Sequence, residues 1–305
     1  MAEKIIMDVD TGHDDMVAII MASALEEIDL LGIVAVCGNQ VLEKTLVNTL
    51  NVCNLIGEKA PVFAGMDRPI IRERVVAGDV HGESGLDGPL FPPLSKQAEK
   101  THGVNFIIET VMNNPHEVTL VPTGPLSNIA MAIRLEPRLP AMVKRIVLMG
   151  GSLGAGNRTA HAEFNIFADG EAAAIVLNCG APIVMMGLDV TLQVLLKEER
   201  LARYRALNTA TATMFNASME HYIKACRRHG AEYPAMHDPC CIAYIVDPTI
   251  FETEEHTIEV VLADKERYGK TVSVPLDPAR RILVGKRAAT ERFWPLLERS
   301  FANLP

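Results

Sequence analysis

The sequence lacks the features that mark nucleic-acid-binding and membrane proteins. Its 305 residues carry 29 basic and 38 acidic side chains, and the basic pairs Arg227-Arg228 and Arg280-Arg281 are isolated. A nucleic-acid surface needs clustered Lys and Arg, so we expect no nucleic-acid partner. No segment approaches the roughly 20 apolar residues that span a bilayer, so we expect no membrane association.

Cysteine is also scarce, and its placement bears on the cellular compartment. The six cysteines form no CxxC pair, and several lie in apolar runs. This pattern is typical of buried, reduced thiols rather than of a disulfide framework. The first four residues lead directly into a strand pattern, without the features of a signal peptide. We therefore expect a cytoplasmic protein.

Short apolar segments alternate with helical patterns from one end of the chain to the other. This alternation predicts an α/β fold in one domain, residues 1–305, with helices on both faces of an open, mainly parallel sheet. The predicted strands are residues 4–8, 30–37, 61–64, 117–122, 145–149, 182–188, 257–263 and 281–284. The predicted helices include residues 16–25, 41–56, 102–113, 126–135, 171–179 and 209–228.

The most informative segment is a dense group of aspartates near the start, Asp8-Val9-Asp10-Thr11-Gly12-His13-Asp14-Asp15. It follows an apolar run, and carboxylates crowded at the end of a buried strand repel one another unless a cation or hydrogen bonds offset the repulsion. Hard oxygen ligands favour Ca²⁺ or Mg²⁺ over zinc. Helix capping would explain Asp14 and Asp15 taken alone, but it does not explain Asp8 and Asp10.

Other polar residues are expected to lie near these aspartates. Ligands of open α/β sheets bind beyond the carboxyl ends of the strands, so the residues that follow each predicted strand should surround one crevice. These residues are Asp8 and Asp10, Cys37-Gly38-Asn39, Thr123-Gly124-Pro125, Gly150-Gly151 and Asp189.

Two of the turns carry groups suited to a metal or a sugar. The backbone carbonyl of Thr123 can complete a Ca²⁺ shell of about 6–8 oxygens, although Ser127 or Asn128 of the same turn could simply cap the next helix. Residues 156–165 contain amide and carboxylate side chains that suit a hydroxyl-rich ligand. A polar surface loop would have the same composition.

Two histidines are candidates for a catalytic or binding role. His237 could act as a general acid near neutral pH, with Asp238 as a further metal ligand. The alternative for Asp238 is capping of a helix that begins at Pro239. His81 lies in a glycine-rich segment, residues 79–88, that could form a lid, and a loop histidine without a role is the alternative there.

Taken together, these segments resemble the inosine-uridine-preferring nucleoside hydrolase family over nearly the whole chain. The motifs that carry the resemblance are Asp8-x-Asp10-x-Gly12-x-Asp14-Asp15, Glu163-Phe164-Asn165-Ile166-Phe167-Ala168-Asp169 and His237-Asp238-Pro239, in matching order and spacing. The resemblance implies a Rossmann-like core and hydrolysis of ribonucleosides to free base and ribose, as in nucleoside salvage. It also implies a homotetramer or homodimer.

The resemblance assigns roles to individual residues. One Ca²⁺ per subunit would be held by Asp10, Asp15, Asp238 and the backbone carbonyl of Thr123. Asp10 would also take a proton from a metal-bound water, and His237 would protonate the departing base. The implied substrate-binding residues are Asp14, Asn157, Glu163 and Asn165 at the ribose hydroxyls, Asn39 close to the water and the sugar, and His81 at the base.

The preferred nucleobase and the reaction itself have alternatives. Residues 222–237 should form part of the base pocket, with His229 where pyrimidine-preferring members tend to carry tyrosine. We expect uridine and cytidine as substrates, with inosine or broad use as the alternative. Outside this family, Asp8-Val9-Asp10-Thr11 resembles the start of haloacid-dehalogenase-like Mg²⁺ phosphatases, with Asp8 as nucleophile. A non-catalytic nucleoside-binding protein is the third reading.

Overall fold

A nine-stranded sheet forms the centre of the protein in the computed structural model, which describes residues 2–305. The strands are β1 (Glu3–Val9), β2 (Ile28–Ala35), β3 (Val62–Ala64), β4 (Val118–Pro122), β5 (Arg145–Met149), β6 (Ile183–Met186), β7 (Phe251–Val260), β8 (Thr271–Val274) and β9 (Ile282–Ala288).

The order of the strands creates a ligand-binding position. Across the sheet the order is β3-β2-β1-β4-β5-β6-β9-β7-β8. All neighbours from β3 to β9 are parallel, and β7 is antiparallel to both β9 and β8. The chain moves outward from β1 to β3 and returns to the other side of β1 with β4. The boundary between β1 and β4 is therefore a topological switch point, where sheets of this kind bind ligands.

Within residues 2–305, thirteen α-helices and one short 3-10 helix (Pro248–Ile250) accompany the sheet. The α-helices are α1 (His13–Ala24), α2 (Leu42–Ile56), α3 (Gly78–His81), α4 (Gly103–Asn113), α5 (Ser127–Leu135), α6 (Leu139–Met142), α7 (Phe164–Ala168), α8 (Gly170–Leu177), α9 (Leu188–Thr191), α10 (Glu198–Arg205), α11 (Ala210–Arg228), α12 (Pro239–Val246) and α13 (Thr290–Ala302).

Alternation of side chains along β1 separates two hydrophobic cores. Ile5 and Met7 pack on one face of the sheet with residues of α1, α2, α11, α12 and α13. Ile6 packs on the other face with residues of α4, α5 and α8. Because helices cover both faces, both sets of strand side chains are buried, which explains the continuous apolar runs in the sequence.

The predicted α/β class and mainly parallel sheet are confirmed. Four predicted helices begin one residue later in the structure, because the first predicted residue of each is the extended or irregular residue that precedes the helix. These are the helices predicted at 41–56, 102–113, 126–135 and 209–228. The helix predicted at 171–179 is α8. The helix predicted at 16–25 begins earlier, at His13, and Asp14 and Asp15 lie in its first turn, as expected.

The predicted extents of the last strands were wrong. The segment predicted at 257–263 is β7, which begins at Phe251, and the segment predicted at 281–284 extends to Ala288. Strand β8 was not predicted. These strands are partly exposed and alternate polar with apolar residues, whereas the prediction relied on continuous apolar runs. The strand predicted at 182–188 ends at Met186, because Leu188 already belongs to α9.

No helix within residues 2–305 combines the length and the apolar composition that crossing a bilayer requires. The longest, α11, has 19 residues and includes charged side chains such as Glu220 and Lys224. Its buried residues lie along one face and contribute to the core that also contains α1.

Candidate active site

Asp10 lies directly after β1, at the switch point of the sheet. Its Oδ2 accepts a hydrogen bond from the backbone N–H of Asn39, at 2.7 Å. Glycines leave room for the carboxylate: a Cβ at Gly38 would lie 2.1 Å from Asp10 Oδ2, and one at Gly124 would lie 2.9 Å from Oδ1. The strand ends after β1, β2 and β4 therefore meet around Asp10, as their parallel order predicts.

Asp15, in the first turn of α1, connects the same three strand ends. Its Oδ2 accepts hydrogen bonds from the N–H of Gly12 at 3.0 Å and from Asn39 Nδ2 at 3.3 Å. Its Oδ1 accepts a hydrogen bond from the Thr123 hydroxyl at 2.7 Å. Helix capping thus accounts for the contact with Gly12 alone. The other contacts fix the carboxylate in the crevice.

Three buried carboxylates form a close cluster. Asp14, Asp15 and Asp238 each place an oxygen within 4.8 Å of the others. Asp238 comes from the segment before α12, far from the other two in the sequence. It occupies the position that precedes this helix, but its side chain accepts no capping hydrogen bond. The capping alternative for Asp238 is therefore wrong.

The cluster contains no positive side chain that would balance its charge. Within residues 2–305, Lys, Arg and His form no ion pair with Asp10, Asp14, Asp15 or Asp238. Burial and the adjacent Asp15 raise the pKa of Asp14 to about 8, and burial with neighbouring carboxylates raises the pKa of Asp10 and Asp238. A bound divalent cation would replace this repulsion with attraction. The all-oxygen donor set therefore fits Ca²⁺ or Mg²⁺.

The cluster differs in one respect from the ligand set that the family resemblance implies. Asp14, assigned there to the ribose, lies inside the close cluster, whereas Asp10, assigned to the metal, lies beside it. The Thr123 carbonyl already accepts a hydrogen bond from Asn165 Nδ2 at 2.7 Å, and a carbonyl oxygen has a second lone pair for a cation. The set Asp10, Asp15, Thr123 and Asp238 stays a prediction.

Glu163 and Asn165 are buried beside the cluster, so the surface-loop alternative is wrong for both. Glu163 caps α7: its Oε1 accepts the N–H of Asn165 at 2.8 Å, and its Oε2 accepts the N–H groups of Gly151 and Ile166. Asn165 Nδ2 donates to the carbonyls of Thr123 and Met149, while its Oδ1 has no partner within residues 2–305. Asn165 thus has an acceptor free for a ligand hydroxyl.

Two predicted residues do not join the buried group. Asn157 is exposed, and its Oδ1 accepts the N–H of Phe164 at 2.9 Å, so the surface-loop reading describes it correctly. Asp189 lies at the same edge of the sheet, after β6, but its Oδ2 accepts the N–H of Leu153 at 2.8 Å. It supports the loop after β5 and makes no hydrogen bond to the carboxylate cluster.

Asp8 makes no hydrogen bond to Asp10, Asp15 or Asp238. It is fully buried, its Oδ1 accepts a hydrogen bond from Asn128 Nδ2 at 2.7 Å, and its Oδ2 has no partner within residues 2–305. Burial raises its pKa to about 8. Its backbone carbonyl accepts the N–H of Thr123 at 2.8 Å and so helps to place that turn. A phosphatase of the dehalogenase type needs an accessible nucleophile at this position, and Asp8 does not provide one.

His237 is held by a residue that the sequence did not indicate. Its Nδ1 lies 2.8 Å from the hydroxyl of Thr191, the last residue of α9, and its Nε2 has no partner within residues 2–305. Burial lowers the pKa of His237 to about 4, so the ring is neutral at pH 7. If the threonine hydroxyl donates to Nδ1, the single ring proton lies on Nε2.

His81, at the end of α3, lies in a group of stacked rings. It stacks on His13 with ring centroids 5.2 Å apart, and His13 also stacks on His221 and Tyr222. Burial and the neighbouring His13 lower the pKa of His81. No sequence motif marks this group of rings, because its members come from three separate segments. His229 lies outside this group of rings. Its side chain is half-exposed, and its Nε2 lies 3.6 Å from Asp79 Oδ2.

Comparison with known proteins agrees with this geometry. Residues 5–295 match the family model described as inosine-uridine preferring nucleoside hydrolase. A pyrimidine-specific ribonucleoside hydrolase, RihB, from Shigella sonnei (strain Ss046) is 47% identical over 300 residues, which cover 97% of this chain and 96% of the relative.

Solved structures show the same architecture. A purine-preferring ribonucleoside hydrolase from Gardnerella vaginalis superposes with a TM-score of 0.93 at 32% identity, covering 98% of both chains. A plant nucleoside hydrolase, PpNRh1, superposes with a TM-score of 0.92 at 30% identity, covering 99% of this chain and 100% of the plant chain. The likeness extends over the whole fold, including the strands that carry the buried carboxylates.

Proposed function

We propose a reaction for this chain from the premise that it belongs to the inosine-uridine preferring nucleoside hydrolase family. The chain is a ribonucleoside hydrolase, an enzyme that cleaves N-glycosidic bonds. The proposal adds the metal, the roles of individual residues and the preferred base. The observation that carries it is the buried group of carboxylates at the switch point, which has no basic partner within residues 2–305.

The proposed cofactor is one Ca²⁺ per subunit, held by Asp10, Asp15, Asp238 and the backbone carbonyl of Thr123. When bound, a divalent cation orients vicinal hydroxyls and makes water more acidic. Support comes from the donor set, which consists only of carboxylate and carbonyl oxygens. Asp14 belongs to the same cluster, and this position beside the proposed metal ligands supports a role for its carboxylate at a ribose hydroxyl.

In the proposed reaction, Asp10 takes a proton from the attacking water while the water oxygen bonds to the anomeric carbon. The bond between that carbon and the base nitrogen breaks, and the base leaves with the electron pair. Positive charge grows on the sugar as in other glycoside hydrolysis. Carboxylates near the ribose stabilise this charge. The free amide oxygens of Asn39 and Asn165 accept hydrogen bonds from ribose hydroxyls, and Asn157 would have to turn inward to join them.

His237 is proposed to donate a proton to the departing base from Nε2. The acid in this step is the imidazolium, since a neutral ring would be left as an imidazolate. The Thr191 hydroxyl supports this role because it can accept the Nδ1–H of the imidazolium and leave Nε2–H directed to the base. Burial lowers the pKa of His237 to about 4 in the free protein, so the second ring proton comes from solvent and is favoured only as the C–N bond breaks and the base nitrogen gains negative charge.

Pyrimidine nucleosides, uridine and cytidine, are the proposed substrates. The relative that is 47% identical is named as pyrimidine-specific, whereas the purine-preferring relative is 32% identical. We further propose a cytoplasmic, single-domain enzyme of nucleoside salvage that forms a homodimer or homotetramer. Six free cysteines, four of them buried, suit a reducing compartment.

A substrate panel tests the proposed function. With Ca²⁺ present, kcat/KM for uridine and cytidine should exceed the values for inosine, adenosine and guanosine by about tenfold or more. 2′-Deoxyuridine should lose at least about 10²-fold, because the partners of the missing hydroxyl are left unpaired in a buried site. Binding without release of ribose would instead indicate a nucleoside sensor, and release of phosphate from monoesters would indicate a phosphatase.

Replacing His237 with alanine should affect substrates according to their leaving group. With uridine, loss of proton donation should lower kcat about 10²–10³-fold. With a nitrophenyl riboside, whose leaving group needs no protonation, the loss should be below about tenfold. Steady-state rates on both substrates measure the difference.

A matched control separates this effect from a general loss of histidine. His116 precedes β4, at the end of the strands opposite to the carboxylate cluster, and its backbone φ is 64°. Its replacement by asparagine, which tolerates this conformation, should leave both rates unchanged. Equal losses on the two substrates in His237→Ala would contradict leaving-group protonation.

A further inference from the structure

The first half of α2 presents polar side chains to the turns that follow β1 and β2. Thr45 and Thr49 are fully buried, and Asn48 is nearly so. The Thr45 hydroxyl donates to the carbonyl of Val36, the residue after β2, at 2.8 Å. Asn48 Nδ2 donates to the carbonyl of Thr11, in the turn after β1, at 3.2 Å. Buried polar groups cost free energy unless they are hydrogen-bonded, and these bonds connect α2 to both turns.

Thr11 makes a second contact with α2, through its side chain. Its hydroxyl oxygen lies 2.7 Å from the hydroxyl oxygen of Thr49, and both side chains are fully buried. The Thr49 hydroxyl also donates to the carbonyl of Thr45, at 2.8 Å, and a carbonyl only accepts. The single Thr49 proton is therefore used there, and the Thr11 hydroxyl donates to Thr49. The reverse direction would leave the buried Thr11 proton without an acceptor within residues 2–305.

Thr11 lies between two residues that hold carboxylates of the candidate site. The preceding residue, Asp10, accepts the N–H of Asn39 on its Oδ2 at 2.7 Å, and its carbonyl accepts Asn39 Nδ2 at 3.2 Å. The following residue, Gly12, donates its N–H to Asp15 Oδ2 at 3.0 Å. A shift of the turn at Thr11 would therefore move Asp10 away from Asn39 and weaken a contact that holds Asp15.

Repulsion between carboxylates opposes this arrangement. Asp14, Asp15 and Asp238 place oxygens within 4.8 Å of one another, and like charges at such distances repel. The carboxylates stay together because the surrounding backbone holds them. Ligands that are held in place before an ion binds lose less freedom on binding, so the affinity for the ion is higher.

We propose that Thr11 is a positioning residue that preorganises the carboxylates of Asp10 and Asp15 for the cation through its hydrogen bond to Thr49. The bond fixes the turn after β1 to α2, and the bond from Thr45 fixes the turn after β2 to the same helix. The two turns therefore keep a constant separation. This inference rests on the proposed function, because it concerns residues that are proposed there as Ca²⁺ ligands.

Calorimetric titration of the full-length protein with Ca²⁺ tests the proposal. Thr11→Val replaces the hydroxyl with a methyl group, and the Thr49 proton keeps its acceptor. Kd for Ca²⁺ should rise about tenfold, the equivalent of one hydrogen bond that no longer supports the ligands. Thr49→Val removes the same bond from the other side and should raise Kd by a similar factor. Thr11→Ser keeps the hydroxyl and should bind Ca²⁺ within about twofold of wild type.

Thr257→Val is the matched control for the loss of a buried threonine hydroxyl. Thr257 is fully buried in β7, far from β1 in the strand order, and its hydroxyl accepts the N–H of Asp277 at 2.7 Å. This variant should unfold at a lower urea concentration than wild type and bind Ca²⁺ with the wild-type Kd.

A double variant separates one shared bond from two independent effects. Thr11→Val combined with Thr49→Val should bind Ca²⁺ no more weakly than either single variant, because both substitutions remove the same bond. A wild-type Kd in Thr11→Val, or increases in Kd that multiply in the double variant, would overturn the proposal.

Two further readouts distinguish this proposal from the proposed metal dependence. In the protein without metal, the backbone N–H of Asn39, which donates to Asp10, should exchange with solvent about tenfold faster in Thr11→Val than in wild type or Thr257→Val. At saturating Ca²⁺, kcat on uridine should stay within about threefold of wild type, because the bound ion restores the position of Asp10. The Ca²⁺ concentration for the half-maximal rate should rise about tenfold in the same variant.

The outcomes separate the two proposals. A wild-type protein that binds no Ca²⁺ would refute the proposed metal and with it this inference. A wild-type protein that binds Ca²⁺, together with an unchanged Asn39 exchange rate in Thr11→Val, would refute the role of Thr11 alone.

Discussion

Replacing Asp10 with asparagine should lower kcat on uridine about 10³–10⁴-fold, because the variant cannot take a proton from water. Asparagine preserves the shape of the side chain and keeps an oxygen for the N–H of Asn39, now 2.7 Å from the carboxylate. The substitution also removes a charge from a site where burial and neighbouring carboxylates raise the pKa of Asp10. In the absence of Ca²⁺, the free energy of unfolding should therefore be unchanged or higher.

Asp29→Asn is the matched control for this prediction. Asp29 is exposed near the start of β2, at the end of the strands opposite to Asp10, so its replacement should leave kcat and the free energy of unfolding unchanged. Single-turnover rates and urea unfolding of both variants measure the two effects. An Asp10→Asn enzyme with wild-type kcat would refute the assignment of Asp10 as the base.

Removing the metal should have an effect of similar size. Treatment with a chelator should lower kcat on uridine by at least about 10³-fold, and added Ca²⁺ should restore it. The same ion should raise the temperature of unfolding, because binding to the folded state alone stabilises it by about 2.7 kcal/mol at a concentration one hundred times Kd. Thermal unfolding over a Ca²⁺ titration gives the measurement.

Variants of the cluster identify the source of this stabilisation. Asp238→Asn removes one of the three clustered carboxylates and should abolish most of the Ca²⁺-dependent shift, whereas Asp29→Asn should keep it. Asp238→Asn should also be more stable than wild type without Ca²⁺, since burial and three nearby aspartates raise the pKa of Asp238. Full activity after exhaustive chelation would contradict a metal-dependent mechanism.

The fold was predictable where one physical signal dominates. Parallel strands buried on both faces produce apolar runs, and amphipathic helices produce regular spacing, so the prediction located β1 to β6 and six of the helices, with shifts of a few residues at their ends. Strand β8 was missed because its exposed residues break the apolar pattern. The order of the strands, and with it the switch point beside Asp10, became known only from the structure.

The candidate site was predictable in composition and less so in geometry. The acidic motif and the family resemblance named Asp10, Asp15 and Asp238, and the structure places all three in one crevice. Sequence spacing could not reveal that Asn157 is exposed, or that Asp14 is closer to Asp15 and Asp238 than the ligand set implies. Side-chain direction in a turn depends on contacts with distant segments.

Residues that act through other residues gave no sequence signal at all. Thr191 contacts His237 from a short helix after β6, and its neighbours in the sequence are ordinary. Thr11 lies between better-marked residues, and its partner Thr49 belongs to a helix farther along the chain. Contacts of this kind follow from tertiary structure alone.

The most direct test of the proposed metal site is a crystal structure of the protein crystallised with Ca²⁺, in which anomalous scattering identifies the ion. We predict a single ion in the crevice, bonded to carboxylates of Asp10, Asp15 and Asp238 and to the Thr123 carbonyl. Crystals soaked with ribose should place sugar hydroxyls on the same ion. A crevice without ion density at saturating Ca²⁺, in an enzyme that still hydrolyses uridine, would contradict the account.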